Sequence, residues 1–173
     1  KPNPLYENQH LCYFDPHYYG GIKKYQWTAL PLSLHGVIVK KNGETVTVKV
    51  GEDPADPVFC VTDLLPHLAS EQMQRPATKL IDGESLDLLI GSRPLCDEDG
   101  SDLVKLNVLN ILNEKYGIVE ADFLSAELEI TPAFGARDVG FDRSMIGSYG
   151  HDDRVCAYPA LTALFALDNP TYT

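Results

Sequence analysis

Basic residues are scarce in this 173-residue chain: 14 Lys and Arg stand against 25 Asp and Glu, a formal net charge of −11. That balance excludes a nucleic-acid partner, which would need a clustered basic face. The only basic pairs, Lys23-Lys24 and Lys40-Lys41, read as solvated strand-edge charges. No apolar run approaches the ~18 residues that span a bilayer, so no membrane partner is expected. Cysteine is sparse and has no Cys-x-x-Cys spacing among Cys12, Cys60, Cys96 and Cys156, which argues against a structural metal-cysteine cluster. Cys60 and Cys156 sit in apolar runs and read as buried free thiols, a usage that suits a reducing cytoplasmic compartment. Internal repeats and low-complexity linkers are missing. There is no initiating methionine and no signal-like apolar run, and both ends read as cuts within a longer protein.

What remains is globular in composition, with 44% hydrophobic and 23% charged residues. The length suits one domain, or one small domain with pieces of another. Residues 1–24 are irregular and carry His17-Tyr18-Tyr19-Gly20-Gly21. Tyr25–Leu32, His35–Lys41 and Thr45–Val50 alternate apolar and polar residues as half-buried strands do. The last two are joined by Lys41-Asn42-Gly43-Glu44, whose Asn-Gly pair accepts positive φ in a tight hairpin. Val58–Thr62 and Leu86–Ile90 also read as strands. Asp63–Gln74 fits a short helix capped by Asp63, with Leu64, Leu65, Leu68 and Ala69 on one face. Ser101–Tyr116 predicts a helix with a Leu103, Leu106, Val108, Leu109 and Leu112 stripe, stopped by Gly117. Phe123–Thr131 alternates again, with Glu127 and Glu129 on the polar face, and Val155–Leu167 predicts an apolar helix closed by Asn169-Pro170.

The residues that could carry chemistry gather between Asp142 and Arg154. Gly150-His151-Asp152-Asp153-Arg154 opens a helix beside small residues that let the backbone approach a ligand. Adjacent carboxylates repel unless a cation or hydrogen bonds offset them, and a divalent metal is one such cation. An acidic turn in which Asp152 or Asp153 caps the helix accounts for the same residues. His67, in Leu65-Pro66-His67-Leu68-Ala69, reads alone as a histidine packed on a backbone carbonyl, and so do His17 and His35. Trp27 and the Tyr18/Tyr19 pair read as core or interface aromatics.

Four stretches then coincide. Lys1-Pro2-Asn3-Pro4-Leu5-Tyr6-Glu7, Tyr18 through Trp27, Leu64 through Ala69, and Ser125-Ala126-Glu127-Leu128 through Gly150-His151-Asp152-Asp153-Arg154-Val155-Cys156-Ala157-Tyr158 occur in order. With them the chain resembles the aspartyl aminopeptidase and vacuolar aminopeptidase I family of dinuclear-zinc aminopeptidases, as an internal fragment.

The pattern of elements reads as an α+β chain whose strand-rich middle, 25–140, is a β-barrel-like module with one or two helices. The resemblance implies that this module is an assembly domain inserted between flanks of an α/β/α metallopeptidase domain, 1–24 and 141–173. It implies removal of N-terminal amino acids from peptides by two-metal hydrolysis. Asp152 would be the metal-bridging ligand, joined to Asp153 by a cis peptide bond, with Asp153, Arg154 and His151 supporting the turn. Zn2+ is the implied cofactor, two per active site, with the other ligands outside this chain, so the fragment by itself is expected to be inactive. The inserted domain implies a homo-oligomer, in which a histidine can reach a neighbouring active site to hold an oxyanion. His67 matches that motif by position. Glu71 stands where the aspartyl branch has a second histidine, which leaves a structural role for His67 open and argues against assuming an acidic N-terminal substrate residue. The rival reading is a non-catalytic oligomerisation or protein-interaction module whose acidic turn binds nothing.

Overall fold

The computed structural model describes residues 3–96 and 100–168; Lys1, Pro2 and the expected Asn169-Pro170 helix stop lie outside the described residues. Two compact units divide the chain, Lys1–Ala133 and Phe134–Thr173. The first runs, in order, β1 (Leu5–Asn8), β2 (Leu11–Phe14), β3 (Leu32–Val39), β4 (Thr45–Val50), β5 (Cys60–Val61), β6 (Leu88–Gly91), α1 (Leu103–Tyr116) and β7 (Ala126–Pro132), with short 3-10 turns between them. The second holds β8 (Arg137–Val139), β9 (Met145–Gly147) and α2 (His151–Phe165).

Alternation decides the first sheet, ordered β4-β3-β7 and antiparallel throughout. Val48 and Val50 of β4 are buried while Thr45, Thr47 and Lys49 face outward. On β7, Glu127 and Glu129 are exposed and Leu128 and Ile130 turn toward the core, as their spacing required. The β3–β4 hairpin departs from expectation in one detail. Gly43 alone takes positive φ, at +85°, and its N–H donates to the Lys40 carbonyl at 2.8 Å; Asn42 is not left-handed. The turn is thus a three-residue loop ending in a left-handed glycine.

The second sheet, β1-β2-β6-β5, packs under α1. Gly91 lets the helix approach: a Cβ there would lie 2.6 Å from Val108 Cγ2. Gly117 stops α1 at φ +63°, as expected. The apolar stripe is rotated from the expected one, since Val104 is buried and Leu106 is 43% exposed. Leu109 and Leu112 do pack on the core. Leu32 of the first sheet and Phe59, next to β5 of the second, exchange both backbone bonds at 2.8 and 2.9 Å and so join the two sheets.

The assembly is mixed α and β, but these are two open sheets, not the barrel-like closure expected. A barrel must bring its last strand back to its first. Among the described residues, β4, β7 and β1 each end a sheet. Tyr25–Leu32 is not a strand: Lys24–Gln26 forms a 3-10 turn, Ala29 sits at φ +59°, and Pro31 has no N–H to donate. Asp63–Gln74 is not a helix. Asp63 Oδ1 accepts the Leu64 N–H and the Gln72 side-chain amide, Pro66 interrupts the run, and only Gln72–Gln74 forms a 3-10 turn. Leu64, Leu65 and Leu68 are consequently exposed, and Ala69 alone is buried. The buried thiol is Cys12, pushed up to about 11 by burial with Glu7 adding to it. Cys156 is exposed on α2 and Cys60 is half-buried.

A polar tie through Glu120, in the 3-10 turn after α1, links the first turn of α1 to Asn3 near the start of the chain. Glu120 accepts from Lys105 Nζ at 2.5 Å and from Asn3 Nδ2 at 2.6 Å, which together hold its carboxyl below the ordinary value of 4.5.

Two predictions follow from these contacts. Gly36, at φ +146°, faces the Glu127 backbone carbonyl so closely that a Cβ would collide with it. Gly36→Ala should cost about 2–4 kcal/mol in denaturant unfolding. Gly43→Ala, with no atom within 4 Å of the new Cβ, should cost only roughly 1 kcal/mol from left-handed strain. Equal losses would contradict the packing described for β3. For Glu120 the folded pKa is depressed, so its contribution is present above the unfolded value and is lost as pH falls through the folded one. The side chain is 37% exposed, which limits the effect to less than about 1 kcal/mol. Glu120→Gln should therefore flatten the decline of stability below its ordinary value of 4.5 and leave neutral-pH unfolding cooperative; an unchanged acid limb would refute the tie.

Candidate metal-ligand turn

The turn that opens α2 is built by backbone first. Gly150 occupies the N-cap position at φ +79°, a conformation open to glycine and costly for other residues. A Cβ at Gly150 would lie 2.9 Å from Arg154 Nη1, because a side chain four residues on folds back over the start of its own helix. His151 Nε2 lies 3.0 Å from the Ile146 carbonyl, tying the first helical residue back to β9. Arg154 also stands 3.8 Å from the Asp153 carboxylate. Neither of these two contacts was foreseeable from residue type alone, though the Gly150 to Arg154 spacing is the helical i to i+4 step.

Asp152 and Asp153 fall in the first turn of α2 and are exposed. No side-chain oxygen accepts a bond from the helix N-terminus, so neither residue caps α2. Their charge is instead favourable beside the positive end of the helix dipole. The expected cis bond between them is not found: no cis peptide occurs among the described residues. Both residues belong to a continuous helical turn, and no buried contact surrounds them to hold a bond that costs roughly 3–4 kcal/mol.

The donor set decides whether zinc fits this chain. A zinc site takes four ligands, or three with a water. Among the described residues no group of three His, Cys, Asp or Glu could hold a metal. One exposed carboxylate pair does not make the site, and the residues present do not by themselves fit the ion. The hairpin of β8 and β9 encloses a separate open hollow of about 740 Å³, lined by Arg137, Asp138, Phe141, Arg143 and Ile146; neither Asp152 nor His151 lines it.

His67 lies in the first unit, in the turn Pro66–Leu68. It is exposed and not packed on a backbone carbonyl as its flanking leucines suggested. His17 stacks on Tyr18 with ring centroids 5.9 Å apart. His35 lies between Glu52 at 3.9 Å and Glu129 at 3.6 Å, aligned with Glu129 by the β3–β7 register. Trp27 packs partly against the core, whereas Tyr19 is 96% exposed and is no core residue.

Comparison with known proteins gives the class. The profile of the aminopeptidase I zinc metalloprotease (M18) family matches residues 1–172. A probable M18 family aminopeptidase 1 from Clostridium acetobutylicum is 59% identical over 173 residues, which is 100% of this chain and 37% of that protein. The crystal structure of an M18 aminopeptidase from Thermotoga maritima superposes with a TM-score of 0.92 at 51% identity, covering 99% of this chain and 37% of that one. Aminopeptidase I from Borrelia burgdorferi superposes with a TM-score of 0.82 at 42% identity, over 98% and 37% of the two chains. The chain belongs to the M18 family of zinc metalloproteases. It spans 37% of the length of the curated relatives it matches.

If Gly150 holds the start of α2 through its left-handed geometry, Gly150→Ala should loosen it by roughly 1 kcal/mol. Hydrogen exchange should then quicken at residues 151–155 while residues 32–50 keep their protection. Unchanged exchange at the helix start would contradict this.

Proposed function

We propose that this chain is a segment of a zinc aminopeptidase that removes N-terminal residues from peptides, and that Asp152 is its contribution to the metal site. The observation that carries the reading is the family match across residues 1–172 combined with an exposed Asp152-Asp153 pair on the first turn of α2. Zinc, when bound, supplies Lewis-acid and water-activating chemistry. Residues of this chain alone complete no step of that hydrolysis, since the remaining donors belong elsewhere in a protein of the relatives' length. Gly150 and His151 set the approach to Asp152, and Arg154 braces the turn.

The same reading assigns residues 1–24 and 141–173 to a catalytic domain, 25–140 to an inserted assembly domain, and the whole protein to a homo-oligomer in the cytoplasm. The exposed Leu64, Leu65, Leu68 and Met73 support an assembly role for the segment carrying His67. His67 is open to contact from beyond its own unit, which suits the oxyanion role and leaves the structural one open. Among the described residues no helix is long and apolar enough to cross a membrane.

The test is hydrolysis of aminoacyl-anilides by the protein of the relatives' length, its Asp152→Asn variant and this chain alone. Wild type should be active with zinc, Asp152→Asn should lose at least about 100-fold in kcat, and this chain should not exceed a chelated control. A fully active Asp152→Asn would remove the ligand assignment. A wild type that is inactive and holds no zinc would favour the non-catalytic assembly module.

A further inference from the structure

The Asn42-Gly43 pair is not used by the proposed reaction, and its geometry favours chemistry of its own. Both residues are exposed at the tip of the β3–β4 hairpin. Around Gly43 there is open space, with nothing within 4 Å of where a Cβ would stand. The Asn42 carboxamide is held against the backbone, because Oδ1 accepts the Glu44 N–H at 3.0 Å. That is the oxygen on which negative charge gathers when a nucleophile attacks Cγ, so the Glu44 amide is a donor already placed for the developing oxyanion.

We propose that Asn42 is a site of spontaneous deamidation in the folded protein. The Gly43 backbone nitrogen loses its proton to solvent base and bonds to Asn42 Cγ. The Cγ–Nδ2 bond then breaks, ammonia leaves with a proton from solvent, and a five-membered succinimide remains. Water adds to either ring carbonyl and opens the ring to aspartyl or isoaspartyl. The net change is one water consumed, one ammonia released and one negative charge gained, with no oxidant or reductant involved. Opening of the turn gates the step, since the Gly43 N–H donates to the Lys40 carbonyl at 2.8 Å and that bond must be released first.

The isoaspartyl product has a further consequence. It places an extra backbone carbon between residues 42 and 43, which shifts Glu44 from its place opposite Lys40. The pair now held by Lys40 N to Glu44 O at 2.8 Å and by Lys40 Nζ to Glu44 Oε2 at 3.1 Å is lost.

Ageing the full chain in mildly alkaline buffer and mapping peptides by mass tests this. The peptide with residue 42 should gain one mass unit, with isoaspartate detected, at least about tenfold faster than peptides with Asn8, Asn107, Asn110 or Asn113. Asn42→Gln should abolish the gain, and Gly43→Ala should slow it severalfold by crowding the attacking nitrogen. Asn42→Asp should keep a melting temperature near wild type, while the isoaspartyl fraction of aged protein melts lower. Conversion of Asn42 no faster than the other asparagines, or an unchanged rate in Gly43→Ala, would overturn the proposal.

Discussion

The first unit depends on β3 having both of its edges filled. One edge pairs with β4 across six residues and the other with β7 across seven, and its first residue, Leu32, exchanges two further bonds with Phe59. Through that last exchange the three-stranded sheet is joined to the four-stranded one. Gly36 makes the arrangement possible, since β7 comes so close at the Glu127 carbonyl that no side chain fits. The core residues Leu32, Leu34, Ile38, Val48 and Val50 all hang from this strand or its neighbour. With β3 displaced, neither sheet keeps its buried face.

Much of this framework was legible because it rests on local periodicity. The strands around Gly43, the alternation of Glu127 with Leu128, and the Gly117 stop of α1 each follow from a two-residue or helical repeat. The errors have physical causes of a different kind. Tyr25–Leu32 alternates well, but Ala29 and Pro31 forbid the ladder, and alternation does not report a missing donor. Asp63–Gln74 has a helical face, yet its Asp63 carboxylate is committed to Leu64, Gln72 and Thr28. Closure into a barrel is a property of which edges meet, and residue pattern along one strand does not encode it.

The site was less legible than the fold. Spacing identified an acidic turn opening a helix, and that turn exists, with both carboxylates exposed on the first turn of α2. Whether such a turn serves a metal depends on donors that no local pattern supplies, and among the described residues no third donor joins them. The metal role proposed for the acidic pair rests on membership of the M18 family. The structure adds the devices around it, a left-handed Gly150 beneath Arg154 and a His151 ring tied to Ile146. The apolar side chains of α2, among them Val155, Tyr158, Leu164 and Phe165, are exposed.

Zinc retention measured by elemental analysis after exhaustive dialysis tests the central claim most directly. A protein of the relatives' length should keep its zinc, its Asp152→Asn variant should keep less, and this 173-residue chain should keep none. Stoichiometric zinc on this chain alone, lost on Asp152→Asn, would contradict the claim that it supplies only one part of the metal site.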